Sequence, residues 1–524
     1  MARMRLLHPP TQWGPWTAST LQKLFKKAHS RHPENLLRFF EANISLKIIF
    51  LWPFRPFYGL IFIPELELEV NMKRYCSRTI RVFFFFILSA VCLYSQTGPV
   101  FDNYFVNENL RVDYYHMADK TSEWITLDRT YRQGTWAGNP GSLIDSFDNG
   151  QYYIKVYDAT SGELIYSRGF NSYCAEYITT DMAARGIKRT YHETVLVPFP
   201  KAKIKFTLER RARDNRLSPI FEQVIDPQSI DINNEAPEQG VTVFEFLKNG
   251  DPHKKVDLAV LSEGYTEGEK EKFEQDLKKA FEVFFSFEPY KSYKKDFNVY
   301  GVFKPSRDSG TDEPTHSVFK NTVFGTSFNS MGLYRYMLTE ENRPIRDAAA
   351  HVPYDLVLVM VNTPRYGGGG IYNFYCVFSV NEEWYGYLLL HEFGHAFAGL
   401  GDEYYASNVV YNEFYPAGVE PTDPNLTALL DPENLKWKHL LTKGVEIPTP
   451  WEKDKFDKMN AEEKKTHLAR PEYRGIVGAF EGAGYASKGL YRPMIDCIMF
   501  SKRLQPYCVV CREAVLCVIR QYTR

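Results

Sequence analysis

The 524-residue chain carries almost no net charge: 63 Lys and Arg stand against 64 Asp and Glu, a formal balance of -1. That removes the electrostatic case for a nucleic-acid binder or for docking on an anionic membrane. Cysteine is sparse, with 8 in the whole chain and four of them crowded at the end as Cys497, Cys508, Cys511 and Cys517. A disulfide-dense small scaffold is therefore excluded, and the fold must rest on its core. Internal repeats and long low-complexity tracts are missing, which sets repeat architectures aside. The marked apolar run, Val82–Leu93, is too short for a comfortable membrane span. What is present is ordinary for a soluble globular protein: 44% hydrophobic and 24% charged residues, in a length that suits two or three domains. Aromatic residues reach 15%, which favours strand-rich regions or surfaces facing carbohydrate or protein.

The stretch MKRYCSRTIRVFFFFILSAVCLYSQ begins at Met72. A basic segment (Lys73, Arg74, Arg78, Arg81), then the apolar run, then small residues is the pattern of a secretory signal peptide over 72–96. Such a signal belongs at a true N-terminus. Residues 1–71, without sustained periodicity, therefore read as a spurious upstream extension, with a mature chain starting near Gln96. The expected location is periplasmic, cell-surface or extracellular in a bacterium, with no integral membrane span in the mature chain.

From 97 to about 235 the pattern is β. GQYYIKVYDATSGELIYSRGF alternates across a turn at Ser161-Gly162, a hairpin signal. ETVLVPFPKAKIKFTLERRA reads as a further strand pair broken by Pro198 and Pro200, and an all-β sandwich of immunoglobulin-like size fits. The polar DPQSIDINNEAPEQG is the linker. From 236 to 524 strands alternate with helices, an α/β (α+β) domain with a mixed sheet. In it, Thr266 opens an amphipathic helix whose apolar stripe is Phe273, Leu277, Ala280, Phe281 and Phe284.

The chemistry concentrates in YLLLHEFGHAFAGLGDEYY, residues 387–405. In a helix His391 and His395 lie one turn apart on one face, where both imidazoles reach a single cation. Glu392 beside them is the candidate general base. Leu389, Phe393 and Phe397 form the opposite, buried stripe. Gly399 and Gly401 let the chain turn back, and an acid directly behind them can supply the third ligand. Asp402 has the shorter path, and Glu403 is the rival with the longer reach. One catalytic Zn2+ bound by His391, His395 and Asp402 leaves a fourth place for water. SRDSGTDEP, with Asp308, Asp312 and Glu313, is a candidate structural cation loop or a solvated acidic turn. Cys508 and Cys511 have the C-x-x-C spacing of zinc ligands. In an exported protein the expectation is instead a disulfide of Cys497 with Cys508 or Cys511.

HEFGHAFAGLGDEYY together with GAFEGAGYASKGLYRPMIDCIMFS resembles the bacterial IgA-type metallo-endopeptidase family, and the resemblance covers about residues 97–524. It implies a secreted zinc endopeptidase with a metzincin-like catalytic domain behind an N-terminal β domain. The substrate would be a protein or peptide, a host glycoprotein such as an immunoglobulin among them. In that frame Met499 is the candidate Met-turn residue, and Tyr491 is a candidate oxyanion partner. The stretch RYGGGGIYNFYCVFSVN reads as a glycine loop, Gly367 to Gly370, followed by a strand Ile371–Val380. Gly369, Gly370, Ile371 and Tyr372 would form the edge against which an extended substrate lies. The competing classes are a non-catalytic, zinc-stabilised adhesin, for which Glu392 has no use, and an exopeptidase. N-terminal sequencing of secreted material is expected to begin near Gln96. Recovery of an intact cytoplasmic protein beginning at Met1 would contradict export.

Overall fold

The computed structural model describes residues 98–406 and 414–524. The expected extension (1–71) and signal segment (72–96) lie outside them. Among the described residues no helix is long and apolar enough to cross a membrane.

Two four-stranded sheets form the first part. One has the order β5-β1-β2-β8, from β1 (Phe105–Ala118), β2 (Glu123–Arg132), β5 (Arg189–Pro200) and β8 (Ile232–Asn233). The other has the order β4-β3-β6-β7, from β3 (Tyr152–Asp158), β4 (Leu164–Phe170), β6 (Ile204–Arg211) and β7 (Leu217–Ile225). Strand alternation sends every second side chain inward. Leu110, Val112 and Tyr114 thus meet Ile154, Val156, Phe206 and Leu208 in one core. The hairpin expected at Ser161-Gly162 is present, with Gly162 at φ 72, where only glycine is unstrained. Pro198 does not break its strand. β5 is an edge strand, and Pro198 pairs with Asn109 at a bulge, where a missing N–H leaves no ladder bond unmade.

The second part is built on a six-stranded sheet of order β15-β16-β14-β10-β11-β9. Its strands are β9 (Thr242–Leu247), β10 (Val256–Glu263), β11 (Phe297–Phe303), β14 (Leu356–Val361), β15 (Gly368–Ile371) and β16 (Tyr375–Ser379). The pairs β10–β11, β10–β14 and β14–β16 are parallel, while the edges β9 and β15 run antiparallel. Two-residue strands β12 (Thr326–Ser327) and β13 (Leu338–Thr339) pair beside it, and β17 (Phe480–Ala483) and β18 (Ala486–Arg492) form a separate hairpin. This is the mixed α+β arrangement expected.

The central strands are apolar on both sides because both faces are covered. Leu258 and Val260 face a core shared with helix α1 (Lys270–Phe284) and with α3 (Tyr385–Ala398). Ala259 and Leu261 point the other way, into a core that contains α2 (Asn342–Ala349) and also Tyr173, Tyr177 and Tyr191 of the first part. The stripe read for α1 is the buried one, and Glu269 closes its start by accepting the Thr266 backbone N–H at 2.9 Å.

The strand expected over 371–380 is two strands. The glycines are themselves β15, and Asn373 (φ 52) turns the chain into β16, since asparagine tolerates the left-handed region. The candidate cation loop does not converge. Asp312 accepts from the Lys320 N–H (2.6 Å), Asp308 from the Asn321 N–H (2.7 Å), and Glu313 pairs with Arg365 (2.9 Å).

Residues 226–240 cross from one part to the other with mostly exposed side chains, Ile230 at 99% exposure. Limited proteolysis is expected to nick between Asp226 and Gly240. The two fragments should still co-elute, because the tyrosine-rich core and the Arg111–Asp347 ion pair bind the parts together. Fragments that separate, or cleavage elsewhere with this segment protected, would contradict that organisation.

Candidate metal centre

Helix α3 lies across the sheet with Leu389, Phe393 and Phe397 fully buried beneath it. Strand β15 passes directly under its other flank. A Cβ on Gly370 would come 2.1 Å from the Glu392 carbonyl oxygen and 3.0 Å from the His395 Cβ. Helix and strand can be this close only because β15 has no side chain there. Beneath the turn between the two histidines, Met499 is buried, its Sδ 3.2 Å from where a Gly394 Cβ would stand.

The helix ends at Gly399, in the left-handed conformation (φ 61), whose N–H returns to the His395 carbonyl. The chain then doubles back. Buried Asn425 clamps the reversal through both atoms of its amide, accepting from Gly401 N–H (2.8 Å) and donating to Gly401 C=O (2.9 Å).

Asp402 consequently meets both imidazoles. His391 Nε2 is 3.1 Å and His395 Nε2 3.3 Å from Asp402 Oδ1, and the two Nε2 atoms are 3.2 Å apart. Each imidazole is oriented from behind. His391 Nδ1 donates to the Ile498 carbonyl at 3.1 Å and His395 Nδ1 to the Leu400 carbonyl at 2.5 Å. A carbonyl only accepts, so each Nδ1 carries a proton and both Nε2 atoms are turned toward Asp402. Tetrahedral coordination with metal–ligand bonds of about 2.0–2.1 Å puts neighbouring ligand atoms about 3.3 Å apart. The observed triangle fits that spacing, and Asp402 Oδ1, buried, has no hydrogen-bond donor of its own.

The electrostatics agree. Burial alone would raise Asp402, but the facing imidazoles hold it well below the usual carboxylate range. Burial alone would lower His395, but Asp402 pushes it up to about 10. Asp402 and His395 thus stabilise each other's charged forms, and a cation between them would take the place of the imidazole proton. Glu392 is raised above its ordinary value by burial.

Glu403 goes elsewhere. Residues 402–405 lie in no helix or strand, and the two adjacent acids leave the chain in different directions. Asp402 and Tyr404 face the histidines, while Glu403 points to Cys497, Cys508 and Cys511. The expected disulfide is not formed: all the described cysteines are free, and Cys497 Sγ is 3.8 Å from Cys511 Sγ, against about 2.05 Å for a bond.

A cavity of about 510 Å3 opens over the centre, lined by His391, Glu392, His395 and Asp402 and walled on its far side by Gln151, Asn171 and Arg210 of the first part. Gly370 and Tyr372 of the proposed substrate edge line it, whereas Gly369 and Ile371 alternate away into the fold. Tyr491 does not line it; its backbone is paired with Thr427. Among the tyrosines that do line it is Tyr485, whose hydroxyl donates to Asp402 Oδ2 at 2.5 Å. It stands at the tip of the β17–β18 hairpin with φ 64, and the hairpin grips residues 402–404 through Gly484 N–H to Asp402 C=O and Tyr485 N–H to Tyr404 C=O. The aromatic ring inside GAGYAS was visible in the sequence, but nothing there tied it to Asp402.

Two imidazoles, a carboxylate and an adjacent glutamate over an open cavity are the equipment of a metallopeptidase. The family comparisons take the assignment further. Residues 244–470 and 458–519 match the family described as IgA Peptidase M64, and residues 100–222 match its companion, Peptidase M64 N-terminus. The chain belongs to this peptidase family, and its substrate class is protein. No curated protein is a match for it.

Because Gly370 leaves no room for a methyl group, Gly370→Ala should destabilise the fold by about 1–3 kcal/mol and depress activity together. An unchanged melting temperature with unchanged activity would show that β15 does not support the helix.

Proposed function

We propose that the protein is a zinc-dependent endopeptidase whose ion is held by His391, His395 and Asp402 and whose general base is Glu392. The observation that carries this reading is the triangle of Nε2, Nε2 and Oδ1 atoms with edges of 3.1, 3.2 and 3.3 Å. Zinc bound there supplies Lewis-acid polarisation of a peptide carbonyl and acidifies a water. Glu392 lines the cavity one residue from His391, and no described residue donates a hydrogen bond to its carboxylate. It is free to take a proton from the attacking water and deliver it to the leaving amine. Its pKa, raised by burial, suits the return of that proton. Tyr485 holds the second Asp402 oxygen, so one carboxylate oxygen stays aimed at the histidines.

The endopeptidase assignment draws support from the edge position of β15 and from the cavity wall supplied by both parts of the chain. An extended peptide laid along β15 would place a carbonyl beside Glu392 and run on past Arg210. Immunoglobulin A, named in the family description, belongs in the substrate panel. Export to the periplasm, cell surface or medium rests on the segment after Met72.

Metal content and peptide-library cleavage of three variants test the assignment. Asp402→Ala should lose one equivalent of zinc together with activity. Glu392→Ala should keep the wild-type zinc content and lose about 100- to 10,000-fold in rate, because a base is not a ligand. Tyr485→Phe should retain zinc and lose less. An Asp402→Ala enzyme with wild-type zinc and activity would overturn the ligand set.

A further inference from the structure

Behind the 402–405 segment lies a second set of metal-competent side chains. Cys497 follows the β17–β18 hairpin. Cys508 is the N-cap of helix α4 (Val509–Thr523), and Cys511 stands in its first turn. With Glu403 they are buried, at 1%, 5%, 0% and 0% exposure respectively. Their ligand atoms all lie within 4.8 Å of one another. Cys497 Sγ to Cys511 Sγ is 3.8 Å, Cys511 Sγ to Glu403 Oε1 is 3.1 Å, and Cys508 Sγ to Glu403 Oε1 is 3.8 Å. A tetrahedron with metal–sulfur bonds of about 2.3 Å and a metal–oxygen bond of about 2.0 Å has sulfur–sulfur edges of about 3.8 Å and sulfur–oxygen edges of about 3.5 Å. The first distance meets the expectation, and the other two bracket it.

Backbone N–H groups are aimed at two of the sulfurs. The Cys508 N–H donates to Cys497 Sγ (3.2 Å) and the Cys511 N–H to Cys508 Sγ (3.4 Å), both at the positive end of a 15-residue helix. Glu403 is short of partners for a fully buried carboxylate. Among the described residues and outside the thiols, Asn425 is the donor to Oε1 (3.1 Å), and Oε2 has none. The buried Arg492 spends its terminal nitrogens on the carbonyls of Glu481, Gly482 and Ile495, contributing charge nearby rather than a bond. An isolated buried carboxylate is costly, and a coordinated cation removes that cost. A disulfide would use two of the three sulfurs and leave both the third and the carboxylate unexplained.

We infer that Cys497, Cys508, Cys511 and Glu403 form a second, structural site for a thiophilic divalent ion of the zinc class. Four protein ligands close the coordination shell, so the site has no open position for substrate. Its place in the fold gives it a job. It ties the segment that carries Asp402 to helix α4, one residue away from the proposed catalytic ligand. The site itself does not depend on the peptidase mechanism; only this positioning role does.

The test uses the full chain with zinc and then cobalt as probes. Wild type should hold two equivalents of zinc. The His391→Ala/His395→Ala variant should hold one, and after cobalt exchange it should still show the intense near-ultraviolet thiolate-to-cobalt charge-transfer absorption. Cys508→Ser/Cys511→Ser should lose that absorption and one equivalent of zinc. If the cysteine variant fails to fold, the cobalt spectrum of the histidine variant decides alone. A histidine variant with no metal and no thiolate band would overturn the inference. So would alkylation and mass spectrometry showing a disulfide among the three cysteines. Failure of the catalytic assignment would look different: wild type would then carry the thiolate-bound ion only.

Discussion

The fold turns on what happens in the four residues after helix α3. A helix can bring two histidines to one face, but it cannot bring a third ligand from the same stretch without reversing direction. Gly399 in the left-handed region makes the reversal, and Asn425 clamps it from the side. From there the chain, in neither helix nor strand, divides the two adjacent acids. Asp402 goes to the histidines and Glu403 to the cysteines. A one-residue slip would exchange them and place the wrong acid on each side. The β17–β18 hairpin guards against that slip by bonding to the backbone of Asp402 and Tyr404.

The remainder of the molecule holds this segment and the helix still. The apolar stripe of α3 is sunk in the core it shares with β10 and α1, and β15 approaches its other flank through side-chain-free positions. The N-terminal sheets have a part in the site as well. They share a core with the far face of the six-stranded sheet, and they supply one wall of the cavity over the histidines. Both parts of the chain thus line the cavity, and each matches its own section of the same family.

Much of this was legible in the residues. The 3.6-residue period placed His391, His395 and the Leu389–Phe397 stripe on opposite faces, and strand alternation announced the hairpin at Gly162. Reach and spacing point to Asp402 ahead of Glu403, but where Glu403 goes depends on cysteines 105 and 108 residues further along. Other features were beyond local pattern. The carbonyls of Ile498 and Leu400 that orient the imidazoles carry no sequence signature, because every residue has a carbonyl. Tyr485 reaches Asp402 from a hairpin tip 83 residues away, a matter of topology that local pattern does not carry. The glycine run reads as a loop in the sequence; residues 368–371 are a strand because the helix packed on it needs the space. The disulfide expectation followed from compartment alone and took no account of a buried carboxylate among the thiols.

The most direct measurement is anomalous diffraction at the zinc absorption edge from crystals of the full chain. The account predicts a peak within about 2.0–2.2 Å of His391 Nε2, His395 Nε2 and Asp402 Oδ1. Zinc found only among Cys497, Cys508, Cys511 and Glu403, with no peak between the two histidines, would contradict it.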